Sequence, residues 1–589
     1  MTRYLKSGLL SATCGWLCLL MMRACWVQAS PPSRPVSAKY YPHRWVYVPL
    51  NLRSDGDVDE IRNIAQVAFA HGLNGMVLTG SLDALEWQDQ DYFRRLDEVR
   101  QIAVDNSLEI IPELFSAGYA GAVYTKNRNL AEGFPVKDAL FAVSGGIARF
   151  RQDPAVLISN GDFEHFAGNQ FSGYYQDYPG TVSFVDTAVR NSGQASIRFE
   201  NFRANPTGNG RIILKNINVH PWRCYRASIW VKTEALDPVK SFNFFALGQD
   251  GSQLCYMSPQ ISATGDWRRT TIGFNSGNNT TVNIYAGIWG GRGGRFWLDD
   301  LIVEEVGLIN VLRRPGTPLS VRSDSTGAVY EEGRDYAPIA DANLNFRFDH
   351  DGPSIAILPG SRIRDGEQLR VSYYHGTNIY DGQVSLCMSE PQLYEIWADE
   401  ARRVQEVLRP ARWMLSMDEI RMGGTCEACK RRNMSMAQIL GDCITRQVGI
   451  IRTLNPAAEV LTWSDMLDPN HNARPNYYLV DGDYTGSWLY VPSDLGIVCW
   501  YTEKRYLSLR HFSSQGFRTF GSVNCDGVRL DATVQWLEAL DQTPAAAGIM
   551  YTTWQNDYSL LLPFADLVAN HWRAPAPLRP APSLPGWSR

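Results

Sequence analysis

The sequence lacks an excess of positive charge: 56 Lys and Arg stand against 61 Asp and Glu, a net charge of −5. Such a balance offers no basic stripe for a polyanion, which argues against nucleic acid as a partner. It also lacks a second long apolar run. The run Gly8 to Met22 follows Arg3 and Lys6 and precedes small residues at Val27-Gln-Ala29, the order of a signal peptide over residues 1–29. That run is short for a membrane anchor. The expectation is therefore an exported chain, secreted or periplasmic, with no membrane attachment after cleavage. Removing Arg3, Lys6 and Arg23 would lower the net charge to −8. No stretch of low hydrophobicity precedes the last residues, which excludes extended disorder.

A further lack concerns metal-binding patterns. Cys426-Glu-Ala-Cys429 has the spacing of half a zinc site, but no second Cys or His pair follows at matching spacing. A local disulfide or free thiols beside the candidate site explain this pair better, in a compartment where disulfides form. Cys387, Cys499 and Cys525 lie inside strand-like runs and read as small core residues. No metal is needed to account for these cysteines.

What is present is a long chain with a clear rhythm. Its 589 residues exceed one compact core, so two or three domains are expected. Residues 30–40 are a Pro- and Ser-containing linker. Short apolar strands then alternate with amphipathic helices over residues 41–153: strands near Arg44, Gly75 and Leu108, helices at Val58 to His71 and Tyr92 to Asn106. Over residues 154–309 the helical period disappears in favour of alternating strands such as Thr281-Val-Asn-Ile-Tyr-Ala, the pattern of a β-sandwich. A smaller β-rich segment, 310–380, follows. The strand–helix rhythm resumes over residues 381–573, with strands near Trp413, Glu459, Gly496, Arg518 and Ala547. Three strands before the insertion and five after it predict an α/β fold: a (β/α)8 TIM-type barrel interrupted after strand 3 by a jelly-roll β-sandwich. Gln383 to Met388 would be a ninth strand and is assigned an accessory role. Residues 574–589 form a Pro-rich tail.

In such a barrel, reactive groups stand at the C-terminal ends of the strands. Those ends carry Asn51 and Arg53, Glu113, Asp418 and Glu419, Trp463 and Asp465, then Trp500, Tyr501 and Glu503, and last Trp554, Asn556 and Asp557. Nearly every strand thus delivers an aromatic or a carboxylate to one rim. The 18 Trp and 27 Tyr of the chain suit sugar rings, with flat apolar faces and polar edges, as well as they suit β-rich cores. Asp418-Glu419 is the sharpest feature. Where the chain turns at a strand end, both side chains can face the pocket, and two close carboxylates push one pKa upward. Glycoside hydrolysis requires that division between an acid and an ionised partner.

Ser416-Met-Asp418-Glu419, then Glu459-Val-Leu-Thr-Trp463-Ser-Asp465, then Met550-Tyr-Thr-Thr-Trp554 resemble the catalytic barrel of family 20 glycoside hydrolases, the β-N-acetylhexosaminidases. The resemblance covers about 350 residues, split by the insertion. It implies a substrate-assisted mechanism in which the sugar's own 2-acetamido oxygen attacks the anomeric carbon. Asp418 would then orient the acetamido group and Glu419 would act as general acid and base. Trp463 and Trp554 would wall the sugar, Tyr501 would bond the acetamido oxygen, and Arg53 would hold sugar hydroxyls. Glu113, Asp465 and Trp500 complete the expected substrate-binding set. The chain departs from the family pattern before the pair, where Met414-Leu-Ser-Met417 replaces a His and glycines. It departs again where Thr79-Gly-Ser and Phe115-Ser-Ala-Gly-Tyr replace His-containing segments.

Asn160-Gly-Asp-Phe-Glu164 and Trp297-Leu-Asp-Asp300 resemble the opening and closing strands of jelly-roll carbohydrate-binding modules. That resemblance makes Glu164 and Asp300 candidate ligands of a structural calcium, and Trp222, Tyr225, Trp267 and Trp289 candidate sugar contacts. No cofactor is expected for catalysis. The expected partner is an oligo- or polysaccharide, including N-acetylhexosamine polymers. Two alternatives stay open: a retaining two-carboxylate glycosidase with Glu113 or Glu503 as nucleophile, and a glycan-binding protein without catalysis.

Overall fold

The computed structural model of the protein describes residues 40–527 and 530–571. The expected signal peptide, all but the last residue of the linker, and the Pro-rich tail lie outside the described residues. Among the described residues, no helix is long and apolar enough to cross a membrane.

Eight parallel strands form a closed barrel. They are β1 (His43–Val48), β2 (Gly75–Leu78), β3 (Glu109–Leu114), β4 (Arg412–Leu415), β5 (Glu459–Trp463), β6 (Gly496–Cys499), β7 (Arg518–Asn524) and β8 (Ala546–Thr552). These are the eight expected from the sequence. Being buried on both faces, they read as near-continuous apolar runs. Alternate residues such as Trp45, Val77, Ile111, Met414, Leu461 and Val498 fill the barrel interior. The opposite faces meet α1 (Asp55–Ala70), α2 (Gln90–Asp105), α3 (Pro391–Leu408), α4 (Met436–Leu454), α5 (Arg505–Ser514), α6 (Asp531–Asp541) and α7 (Leu561–Asn570). Capping boxes start α1 at Ser54 with Asp57 and α4 at Ser435 with Gln438, satisfying amides that the first turn leaves unpaired.

The alternation departs from the expected eightfold pattern in one place. No α-helix joins β5 to β6; the chain runs instead through the 3-10 turns Asp465–Leu467 and Ser487–Tyr490. Pro469, Pro475 and a run of Asp and Asn interrupt any helical period there. Gln383 to Met388 is no barrel strand, and Leu386 makes an isolated antiparallel bridge to Ala131.

Between β3 and α3 lie three large antiparallel sheets and a two-stranded one, Phe166–Ala167 with Gln170–Phe171. Two five-stranded sheets, one centred on Gly293–Glu305 and the other on Thr281–Ile288, face one another across a shared apolar core. The third sheet has six strands and joins Gln368–His375 to Phe134–Ser144. Residues 134–151, counted with the first part of the barrel in the sequence division, thus pair with the segment 310–380. A Gly145-Gly146 turn, φ +60° and +75°, closes the hairpin between Phe134–Ser144 and Ile147–Arg151. The sandwich packs on the barrel's loops, for its core includes Ile379, Met422 and Leu479.

Candidate active site

Parallel pairing of β4 with β3 sets Met414 opposite Glu113 and Leu415 opposite Leu114. Three residues past Leu415 the chain reaches Asp418, and Glu419 turns into the left-handed region at φ +49°. This is an uncommon conformation for a residue with a Cβ, and it breaks the strand alternation that would send the two carboxylates to opposite faces. The Glu419 amide donates to Asp465 Oδ2 at 2.8 Å, which holds the turn. Gly118, in the loop after β3, lies directly against it: a Cβ there would stand 2.2 Å from the Asp418 carbonyl oxygen.

Four carboxylates meet at this end of the barrel. Glu113 is buried, accepting from Tyr47 Oη at 2.8 Å and Trp463 Nε1 at 2.6 Å. Burial pushes its pKa up, against the pull of those donors. Asp418 accepts from Ser416 Oγ at 3.2 Å and sits at the floor of the mouth. Burial holds its carboxyl well above the usual range, and the charges of Asp465, Glu113 and Glu419 add to the shift. Asp465 is fully buried; burial pushes it up to about 7, although the Glu419 amide and Asn472 Nδ2, at 2.8 Å, favour its charge. Trp500 Nε1 donates to its other oxygen at 3.3 Å.

Glu419 faces a different set of partners. Arg421 Nη2 lies 2.9 Å from its Oε1, while the Tyr119 hydroxyl and Gln383 Nε2 donate to Oε2. Arg421 is buried between two tyrosines, its guanidinium 4.5 Å from the Tyr380 ring and 5.0 Å from the Tyr478 ring. Tyr380 stacks in turn on Tyr256 of the sandwich, at 4.9 Å. The row continues from Tyr256 to Phe245 and Tyr285 with near-parallel rings. These rings cover one another's faces, so the row packs the sandwich against the segment that carries Tyr380.

Indoles make the wall. Trp463 and Trp554 lie 5.8 Å apart, Trp500 and Trp554 6.1 Å, and Tyr47 is within 6 Å of both Trp463 and Trp554. Trp554 is 48% exposed and Trp463 only 2%, so the wall runs from floor to rim. His471 stacks on Tyr501 at 4.4 Å and meets Trp500 edge-on.

Of the residues singled out from sequence, Glu113, Asp418, Glu419, Trp463, Asp465, Trp500 and Trp554 come together, with Tyr501 joined to them through His471. Arg53 stands exposed just past β1, outside this set of contacts, and Glu503 is exposed on the turn Thr502–Lys504. Arg421, Tyr119, Gln383 and Tyr47 were not anticipated. Arg421 follows the left-handed turn at Glu419, where strand alternation no longer tells which side chains share a face.

The candidate residues of the sandwich take varied places. Tyr225 is core, 1% exposed. Trp222 lines a cleft of about 580 Å³ between the sandwich and the barrel loops, with Lys137 Nζ 4.3 Å from its ring. Trp267 is half-buried, and Trp289 packs on Phe245 at 5.3 Å. Glu164 Oε1 accepts from the amides of Gln194 and Ala195, and Asp300 accepts from Asn191 Nδ2 and Ser192 Oγ.

Residues 155–290 match the family model of a carbohydrate binding domain. A solved module titled "CBM4 structure and function" is 18% identical, covers 25% of this chain and 99% of that chain, and has a TM-score of 0.19. Across 90% of this chain there are likenesses to a chitobiase of Flavobacterium johnsoniae, 8% identical with a TM-score of 0.35, and to a rhamnosidase of Novosphingobium sp. PP1Y, 10% identical with a TM-score of 0.31. The chain spans 48% of the chitobiase chain and 59% of the rhamnosidase chain. No curated protein sequence matches it.

Proposed function

We propose that this protein hydrolyses glycosidic bonds in oligo- or polysaccharides containing N-acetylhexosamine, by a retaining, substrate-assisted mechanism outside the cytoplasm. The observation that carries the reading is the cluster of Glu113, Asp418, Glu419 and Asp465 beside the indoles of Trp463, Trp500 and Trp554. Carboxylates stabilise a cationic sugar ring and move the proton of the leaving oxygen, while indoles bind the ring's apolar face. The match of residues 155–290 to a carbohydrate binding domain supports a carbohydrate ligand independently.

In this mechanism Glu419 delivers a proton to the departing oxygen and then takes one from water. Its side chain is 22% exposed, so it can reach a leaving group that projects outward. Asp418 receives the acetamido N–H. Burial and neighbouring charge hold its pKa high, and both the N–H and the positive charge of the cyclised intermediate favour its ionised form. The interaction therefore strengthens as the transition state forms. Glu113 suits a nucleophile less well, because it is only 7% exposed, held below the mouth by Tyr47 and Trp463. Glu503 is exposed on its turn.

Release of chromophore from aryl β-N-acetylglucosaminide and β-N-acetylgalactosaminide, compared with plain β-glucoside and β-galactoside, tests the proposal. Cleavage of the acetamido sugars alone is expected. Cleavage of the plain sugars would replace substrate assistance with a two-carboxylate mechanism. No turnover of any of them, nor of longer acetamido oligosaccharides, would overturn the enzymatic reading.

A further inference from the structure

Glu132, Cys387, Cys426 and Cys429 come from three distant stretches of chain and converge behind the loop that follows Glu419. All four are buried, and their donor atoms lie within 4.8 Å of one another. Cys387 Sγ is 3.5 Å from Cys426 Sγ and 3.7 Å from Cys429 Sγ, and Cys429 Sγ is 3.5 Å from Glu132 Oε2. A tetrahedral zinc ion with Zn–S near 2.3 Å and Zn–O near 2.0 Å places its sulfurs about 3.8 Å apart and sulfur from oxygen about 3.5 Å. The two Cys387 sulfur separations and the Cys429–Glu132 distance already match these spacings, and the remaining pairs lie within 4.8 Å.

The competing explanations fit less well. The sulfur separations are far beyond a disulfide bond of about 2.05 Å. Three thiols cannot all close in pairs, so a disulfide would strand the third thiol beside a buried carboxylate. Among the described residues that carboxylate makes no direct ion pair, although the Arg314 guanidinium is near enough to favour its charge. Arg314, close by, pairs with Glu390 and donates to the carbonyls of Asn129 and Ala131. Glu132 Oε1 accepts from the Cys426 amide at 2.8 Å and from Thr425 Oγ1 at 3.0 Å, which leaves Oε2 turned toward the sulfurs. Such outer hydrogen bonds are how proteins orient a metal-binding carboxylate.

We propose that Glu132, Cys387, Cys426 and Cys429 bind one structural Zn2+ in a closed four-coordinate site. Soft sulfur donors in tetrahedral array select zinc over calcium or magnesium. The three thiols lose their protons to solvent as the ion binds, and no oxidation is involved. The site joins the point where the chain leaves the barrel (Glu132), the segment that returns to it (Cys387) and the loop beyond Arg421 (Cys426 and Cys429). The ion thereby fixes the stretches that carry Gln383, Glu419 and Arg421, closing a long interruption of the barrel with one staple.

The test is elemental analysis of the gel-filtered full chain purified without added chelator, together with intact mass after alkylation of the unfolded protein. One zinc per chain is expected, with all three thiols alkylated. Cys426→Ser and Glu132→Gln should each lower the zinc content at least tenfold, while Cys255→Ser, a buried thiol of the sandwich, should leave it unchanged. Should a ligand variant fail to fold, the wild-type zinc content and alkylation state decide alone. A disulfide within Cys387, Cys426 and Cys429, or three free thiols without stoichiometric zinc, would overturn the proposal. Neither readout depends on the sugar-cleaving activity.

Discussion

Replacing Asp465 with Asn should stabilise the protein in alkaline solution while slowing it as a catalyst. The Asp465 carboxyl is fully buried and titrates near 7, raised chiefly by burial. An unfolded aspartate titrates at about 3.9. The folded state therefore binds the proton more tightly. The stability this contributes is full below about pH 4 and is lost as pH rises through the folded value near 7. Integrated from pH 5 to pH 8, the loss is about 2 to 3 kcal/mol for a single group with these two pKa values. Asn does not titrate in this range, yet it keeps an oxygen for the Glu419 amide. Asp465→Asn should thus escape the loss.

Calorimetry at pH 5 and pH 8 measures the effect. The difference in Tm between variant and wild type should move in the variant's favour by roughly 5–10 °C between the two pH values, taking 2–4 °C per kcal/mol for a domain of this size. Turnover at pH 8, where the wild-type Asp465 is ionised, should fall about tenfold or more, because the negative charge next to Asp418 and the cationic sugar is gone. Parallel pH dependences of Tm in the two proteins would refute the burial argument for Asp465.

Two further outcomes follow from the site. Glu419→Gln should lower kcat on the preferred aryl glycoside by about 10²- to 10⁴-fold with an unchanged circular dichroism spectrum, and Asp418→Asn should be comparably severe; near wild-type activity in either would remove it from the mechanism. Gly118→Ala sets a methyl 2.2 Å from the Asp418 carbonyl oxygen, a clash expected to cost about 1 to 3 kcal/mol and to displace the Asp418–Glu419 peptide. Its Tm and kcat should therefore fall together, and wild-type values of both would show that the loop after β3 gives way freely.

The barrel was legible because a parallel strand buried on both faces leaves a run such as Gly496-Ile-Val-Cys that little else produces. The rim was legible for the same reason: once a strand's end is known, so is the position of Trp463, Trp500 or Trp554. The missing helix after β5 was less so, since Pro469 and Pro475 had to be weighed against the rhythm of the whole. The hairpin at 134–151 was hidden by distance, its partner Gln368–His375 lying more than 200 residues away.

Loops obey no period, and the residues that complete the site come from loops. Tyr119 and Gln383 reach Glu419 from separate stretches, and neither stretch carries a pattern that announces the contact. The cysteines show the same limit more sharply. A search for a second pair to match Cys426 and Cys429 fails because the remaining donors arrive singly, Cys387 and Glu132 from either side of the insertion. Strand order nevertheless contained part of this information. With β4 next to β3 in the closed barrel, Glu113 must lie level with the start of the Asp418 turn, and the loop after β3 must lie against it. The insertion leaves the barrel from that loop and returns just ahead of α3, so its two ends necessarily flank the Glu419 loop. A staple that joins those ends to the loop is the bond that an interrupted barrel of this topology most needs.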